Sequence, residues 1–318
     1  MKLTIVLTIY NKESYLGRAL DALLNQESVG NDDYEVLAVN DGSTDGSASI
    51  IDEYKEKDPR IRVLTQENQG LSMARNNGVK AALGEYVWFV DSDDTIDPQA
   101  VSAICEAIDK SPDIIPIYAK TNDEAGIRNA VNPNVKSGRD ILVEGKWEHC
   151  GVFNIIRKDF LIQNNLSFIP GIYHEDAEFT PRLLYYATKV VVVPKVLYIV
   201  YRDPNSITQV PKAKRSFDYL TVVESLYHFV VEKGERKTIL GNRLFTNIAV
   251  IINMAFYIIV QNEDEDQKRY NQVYYKKRKI FNDILSLAEG KKYKIESLLF
   301  RLVPCQYVKI YKFLKLFG

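Results

Sequence analysis

Three carboxylates crowd into four residues at Asp91-Ser92-Asp93-Asp94. Their mutual repulsion is costly unless a cation or solvent offsets it. Oxygen ligands of this kind suit Mg2+ or Mn2+, which keep waters and share a substrate's phosphates. A second acidic pair, Glu175-Asp176, sits in YHEDAEF (173–179). At a helix start the dipole favours such carboxylates; as a general base, one could also take a proton from an attacking hydroxyl. In NDGSTDGS (40–47) Asp41 can accept hydrogen bonds from a base or ribose, Gly42 permits close approach, and Ser43 or Asp45 can cap the next helix. In QGLSMARNNG (69–78) Gly70 precedes a helix whose N-terminus can meet phosphate oxygens, with Arg75 and Asn76 one turn in. Taken alone, each stretch also has a plain structural reading: a solvated capping loop, a strand–turn–helix, a surface helix, or an acidic first turn.

The elements that must position these residues alternate. Leu3–Ile9, Tyr34–Val39, Ile61–Leu64 and Tyr86–Val90 read as strands. Between them, Leu16, Ala19, Leu20, Leu23 and Leu24 fall on one helical face, Ile50, Ile51 and Tyr54 mark a second helix, and residues 71–82 a third. A fourth helix is expected to start at Asp97-Pro98, with Cys105 filling the core on its apolar face. This order predicts an α/β fold: a mostly parallel sheet with helices on both faces. In such sheets ligands bind outside the carboxyl ends of the strands. The polar ends at Thr8-Ile9-Tyr10-Asn11, at Asn40–Ser43 and at Asp91–Asp94 should therefore converge on one edge. Further strands are expected at Val152–Ile156, Val190–Val193 and Val196–Tyr201, a helix at Ala177–Tyr186, and mainly helix after about Lys212.

The 318 residues carry 41 Lys and Arg against 42 Asp and Glu, with 46% apolar residues, which fits a globular chain and excludes a disordered acidic protein. Cys105, Cys150 and Cys305 are scattered and form no CxxC pair, which fits a reducing compartment. The near-neutrality is a cancellation. Residues 276–318 hold eleven Lys and Arg against Asp283, Glu289 and Glu296, a net of +8 that leaves −9 for residues 1–275. Lys309, Lys312 and Lys315 lie on one helical side, with Ile310, Phe313, Leu314 and Phe317 mostly opposite. That pattern suits a helix in an anionic membrane surface, or a basic helix docked on the protein or a partner subunit. The apolar stretch Leu244–Val260 contains Thr246, Asn247 and Asn253 and is expected as a buried helix.

Together, TIYN (8–11), NDGSTD (40–45), the 69–78 stretch, DSDD (91–94) and HED (174–176) occur in the order and spacing of family 2 glycosyltransferases, which the sequence resembles over roughly residues 1–210. YRDPNSIT (201–208) resembles this family's later segment. The resemblance implies the GT-A nucleotide-sugar-binding fold at 1–210, followed by a helical C-terminal extension at 211–318. It implies that Thr8 and Asp41 hold uracil, that Tyr10 lies near the nucleotide, and that Arg75, with Asn76 beside it, supports the nucleotide or diphosphate. Asp93 is implied near the ribose and at the metal, Asp94 on the metal, with Asp91 orienting them. Asp176 matches the catalytic base, with Glu175 beside it; Arg202 and Ser206 are implied at the diphosphate or acceptor. Asn40 departs from the acid often found there. The implied reaction is inverting transfer from a nucleotide sugar, UDP-linked, to a hydroxyl of a glycan or lipid-linked acceptor in bacterial surface-polysaccharide assembly, with Mn2+ or Mg2+ as cofactor. The expected setting is cytoplasmic, peripheral on the inner face of the cell membrane through 305–318, without nucleic acid; a homo-oligomer stays open. The alternatives are a sugar nucleotidyltransferase, which would want a Gly-rich basic loop that TIYNKESY lacks, and a non-catalytic nucleotide-sugar-binding protein.

Overall fold

The computed structural model describes residues 1–30, 32–202, 212–303 and 305–315. Two compact units emerge: Met1–Gly171 with Leu183–Asp203, and Ile172–Arg182 with Pro204–Gly318. The expected boundary at 210 is thus crossed by a segment. Ile172–Arg182 groups with the helical unit because Tyr173 N–H donates to Asp218 (2.9 Å), the His174 ring stacks on Tyr219 (3.8 Å), and Ser225 Oγ donates to Glu178 (2.7 Å).

In the first unit the chain runs β1 (Leu3–Ile9), α1 (Glu13–Leu24), β2 (Tyr34–Asn40), α2 (Ser47–Lys57), β3 (Ile61–Thr65), α3 (Leu71–Ala81), β4 (Tyr86–Asp91), β5 (Thr95–Ile96) and α4 (Ala100–Ile108). It continues through β6 (Ile114–Thr121), α5 (Gly138–Glu144), β7 (Asn154–Arg157), α6 (Lys158–Gln163), only the end of α7 (Glu175–Tyr186), and β8 (Val193–Val200). The strands form one sheet in the order β3-β2-β1-β4-β7-β6-β8-β5. β1, β2, β3 and β4 are parallel neighbours, while β7 runs antiparallel to both β4 and β6, and β5 antiparallel to β8. β1 and β2 are buried along their whole length, as strands covered on both faces must be. Close helix packing is visible at Gly78, where an added Cβ would lie 2.4 Å from Val6 Cγ1.

Two expectations shift. The fourth helix begins at Ala100, not at Asp97-Pro98; Asp97 Oδ1 instead accepts the Gln99 N–H (2.9 Å) in a turn that precedes the helix. Val190 makes only an isolated bridge to Ile114, and the strand proper starts at Val193, so two expected strands reduce to β8. Cys105 is buried on α4 as read.

The second unit adds α8 (Ala213–Glu232), α9 (Ile239–Ile259), α10 (Asp264–Lys276), α11 (Arg278–Leu287), α12 (Lys291–Leu302) and α13 (Tyr307–Leu314) to the start of α7. α9 is long and apolar enough to cross a membrane, and 56% of its most apolar window is buried inside the protein. Its Phe256 sits in an aromatic cluster with Tyr270, Tyr274, Phe300 and Tyr311. α13 is docked in this unit rather than standing free. Tyr307 and Val308 are buried, Tyr311 stacks on Phe256 at 5.1 Å, and Lys312 Nζ donates to Gln267 (2.8 Å). Of its expected apolar side, Phe313 is exposed, and Phe317 lies outside the described residues.

Candidate active site

The carboxyl ends of β1, β2 and β4 lie side by side, with Ile9 opposite Asn40 and Thr8 opposite Asp91. The loops that leave them are fastened to one another. Asn11, at a φ of 52°, accepts the Thr44 N–H (2.8 Å), and its own N–H donates to Ser43 Oγ (3.1 Å). Glu13 accepts from Gly46 N (2.6 Å), and Asp45 accepts from Glu13 N (3.1 Å). Gly42 is obligatory: its φ is +72°, and a Cβ would meet Asn68 N at 2.8 Å.

Several residues implied to touch the donor are turned to structural duty. The Asp41 carboxylate is buried and accepts from Gln66 Nε2 (2.7 Å), Gln69 N (2.8 Å) and Gly70 N (2.8 Å), tying the β3–α3 loop to the end of β2. It keeps part of its acceptor capacity for a further donor. Asn76 pairs its amide with both backbone groups of Phe168 (2.8 and 2.9 Å). Arg75 is 3% exposed, lies over the rings of Phe89 and Phe168, and donates from Nη2 to Asp91 Oδ1 (3.0 Å). It supports the acidic turn from beneath. Arg202 pairs with Glu124 and with Asp123, at 3.9 Å. Thr8 is buried at 7% exposure, and Tyr10 presents an exposed ring just beyond β1. Ser206 lies outside the described residues.

The acidic turn is asymmetric. Asp91 and Asp93 are partly exposed, at 34% and 23% of their side chains. Asp93 Oδ2 accepts from Lys12 Nζ (2.5 Å), and its carbonyl accepts from Arg18 Nη2 (2.5 Å). Asp94 points inward: it is 6% exposed and accepts from Tyr198 Oη (2.8 Å) and Tyr201 N (2.8 Å). Burial first, then the charges of Asp91 and Asp93, push its carboxyl up to about 7 against those two hydrogen bonds. Asp94, implied on the metal, is thus the buried carboxylate of the turn, and Asp91 and Asp93 are its more exposed ones.

Among the described residues no group of three or more His, Cys, Asp and Glu side chains is arranged to hold a metal ion. Mg2+ and Mn2+ need no such cage when a diphosphate supplies the remaining oxygens. The turn fits one on two observations: the Lys12 ammonium already occupies a cation's place on Asp93, and three carboxylates share the turn, two of them partly exposed, whose charge a cation would offset.

The second acidic pair belongs to the helical unit. Glu175 is buried; Asp176 is partly exposed, and its Oδ1 accepts the Ala177 N–H (2.8 Å) in the first turn of α7. His174, at a φ of 63°, accepts at Nε2 from Arg215 Nε (3.3 Å). Burial, and then the Arg215 charge, hold its imidazole down to about 3, so it is neutral beside the pair.

Lys12, Arg18 and Tyr198 were not among the expected site residues. Lys12 directly follows TIYN and could have been read as that motif's cation. Nothing in the β8 sequence announces that the Tyr198 hydroxyl points at Asp94. Trp147 stacks edge-on with His149 at 4.7 Å.

The family model of Glycosyl transferase family 2 matches residues 4–164. The chain is 29% identical over 221 residues to the uncharacterized glycosyltransferase YibD of Escherichia coli, covering 65% of this chain and 63% of that protein's length. It is 32% identical over 244 residues to the putative glycosyltransferase EpsH of Bacillus subtilis, covering 73% of this chain and 70% of that one. In fold it is similar to S. aureus TarS 1-349 solved with UDP-GlcNAc, at a TM-score of 0.70 and 19% identity over 98% of this chain and 88% of that one. With the GT-A-like sheet, the acidic turn at the end of β4 and a family match across half of its residues, the chain belongs to glycosyl transferase family 2.

Proposed function

We propose that the protein transfers a sugar from a UDP-sugar to a hydroxyl of a glycan or lipid-linked acceptor, with inversion, in bacterial surface-polysaccharide assembly on the cytoplasmic side of the membrane. The observation that carries this reading is the acidic turn itself. Asp91 and Asp93 face outward at the sheet edge where parallel α/β folds bind nucleotides, on a base fastened by Arg75, Tyr198 and the loop-to-loop hydrogen bonds. The likeness to a fold that binds UDP-GlcNAc in TarS supports a UDP-linked donor.

The chemistry asks for two things: stabilisation of a departing diphosphate and a base for the incoming hydroxyl. Asp93 and Asp91 would hold Mn2+ or Mg2+, which offsets diphosphate charge when bound. Lys12 and Arg18, both bonded to Asp93, add fixed positive charge at the same turn. Tyr10 offers a ring face beside the nucleotide's edge of the sheet, and Asp41 holds the loop that precedes α3. Asp176 takes the acceptor's proton. The freed oxygen then attacks the anomeric carbon from the side opposite the diphosphate, whose bond electrons leave with it, so one displacement inverts the centre. Its place in the first turn of α7 favours the ionised form that a base requires. Glu175 is buried beside it and is not needed as a nucleophile.

The test is product analysis with a panel of nucleotide sugars, with and without Mn2+ after chelation. UDP should appear from at least one UDP-sugar and only with the metal. Conversion of a nucleotide sugar and added pyrophosphate into a nucleoside triphosphate and a sugar 1-phosphate would instead identify a nucleotidyltransferase, and no turnover with any donor would sink the reading. Asp176→Asn should keep UDP-sugar affinity and lose about 10²–10⁴-fold in transfer; near-normal transfer would move the base elsewhere.

A further inference from the structure

The helical unit contains a cavity of about 590 Å³ that no step above uses. It lies among α8, α9, α12 and α13, and its walls carry Tyr219, Tyr257, Tyr293 and Tyr311 together with Arg215 and Lys292. None of the lining residues is an acid, while two are permanent cations at neutral pH. A third cation stands at the rim, where Lys315 Nζ lies 4.4 Å from the centre of the Tyr257 ring. Behind the wall, Glu296 is 2% exposed, hydrogen-bonded to Asn253 Nδ2 (3.2 Å) and within reach of the Lys292 charge.

The composition is specific in kind. Tyrosine rings offer flat apolar faces for the C–H faces of sugars and polyols, and their hydroxyls offer hydrogen bonds at the edge. Arg215 and Lys292 bring the charge that a phosphate oxygen needs. A pocket for an apolar ligand would not place cations there, and one for a neutral glycan would not exclude acids.

Position ties the cavity to chemistry. Tyr219, 3% exposed, forms its inner wall and stacks flat on His174 (3.8 Å, 6°), the residue before Glu175-Asp176. Arg215, 8% exposed, bonds the same imidazole. The Tyr219 hydroxyl also lies close enough to Asp176 to feel its charge. The inner wall of the cavity is thus the back of the turn that carries the proposed base.

We infer that this cavity is an acceptor subsite for a phosphate ester of a sugar or polyol, held by Lys292 and Arg215 against the tyrosine faces. The inference rests on the transferase reading for its role, but not for its ligand chemistry.

The test uses the full chain with excess UDP present, so that the donor site is filled, and glucose 6-phosphate as the probe in calorimetric titration. Glucose 6-phosphate should bind at least tenfold more tightly than glucose, because the cations have no partner in the neutral sugar. Lys292→Ala and Tyr257→Ala, both at exposed positions, should each weaken the probe about five- to tenfold and leave UDP affinity unchanged. Equal binding of glucose, or a probe affinity that neither substitution moves, would overturn the assignment. So would Lys292-dependent binding to phosphatidylglycerol vesicles with no binding of the soluble ester, which would make the surface a membrane contact. Failure of the wild type to bind UDP would count against the transferase reading alone, since the probe titration repeated without UDP still judges the cavity.

Discussion

Both edges of the first unit's sheet carry buried carboxylates, and the two edges treat them in opposite ways. At the amino edge, Glu35 is 1% exposed and fully partnered: Thr4 Oγ1 (2.7 Å) and Leu83 N (2.8 Å) donate to one oxygen and Arg62 Nη1 (2.7 Å) to the other. Asp113, just before β6, accepts from Thr188 N and Oγ1, Lys189 N and Arg157 Nη2 at 2.6–2.9 Å. At the carboxyl edge, Asp91, Asp93 and Asp94 share one turn, and the carboxyl of Asp94 is pushed up to about 7 by burial and by its two neighbours. Saturated carboxylates clamp the strands; a crowded, partly open set stores negative charge for something yet to bind. The difference separates a structural acid from a functional one better than burial does, because Asp94 and Glu35 are both buried.

The largest expected effect breaks the comparison at its functional end. Asp93→Asn should lower transfer by about 10³-fold or more, because it removes a ligand-facing charge from the turn. The fold should be indifferent, since the Lys12 it releases is already partly solvated, at 27% exposure. Thermal melts and UDP-release rates on the same preparation check both halves. A large loss of melting temperature with little change in rate would mean that Asp93 is a clamp like Glu35.

Glu35→Ala tests the other edge, and the result should be the mirror image. It leaves the Thr4 hydroxyl and the Leu83 N–H buried without their acceptor and frees Arg62, so the cost should be about 3–5 kcal/mol. At about 2–4 °C per kcal/mol the melting temperature should fall by roughly 10 °C. Rate per folded molecule should not change. A selective loss of rate would show that the amino edge reaches the chemistry.

How much of this contrast could be read in advance follows from where each side chain points. The four parallel strands and the acidic turn were legible, because alternating apolar runs and three acids in four residues are statements about composition and period. That Asp94 turns inward while Asp93 turns outward was not. The choice depends on the turn after β4 and on Tyr198, more than a hundred residues on, whose hydroxyl and neighbouring Tyr201 N–H receive Asp94. The hydrogen bonds that hold Arg75 and Asn76 were not legible either: α3 shows no strong apolar stripe, and its buried side consists of Ser72, Ala74, Arg75 and Gly78. Polar residues that bury themselves in strand-end networks carry no periodic signature. The 172–182 segment looked like part of the sheet domain because its motif belongs there in sequence order, whereas its contacts with Asp218, Tyr219 and Ser225 are set by packing with α8.

The smallest effect sharpens the comparison through pH. A carboxyl whose folded pKa is raised to about 7 keeps its proton in the native state over a range where the unfolded chain, near 3.8, has lost it. The native state is then penalised as pH rises. The contribution of Asp94 to stability is greatest below about 4, declines between about 4 and 7, and levels off above, by up to a few kcal/mol for a shift of this size. Asp94→Asn cannot ionise and should remove that decline. It should also lower the starting stability by about 1 kcal/mol, because an amide oxygen can accept from Tyr198 or from Tyr201 N–H while its NH2 group faces the other donor. Denaturant melts of both proteins across this window separate the two terms, the slope belonging to the charge and the offset to the hydrogen bond. UDP with Mn2+ should flatten the wild-type slope in the same way, because a cation at Asp93 and Asp91 makes the ionised Asp94 affordable. A slope unchanged in Asp94→Asn would mean that the stored charge sits elsewhere on the turn, and the two edges of the sheet would then differ in exposure alone.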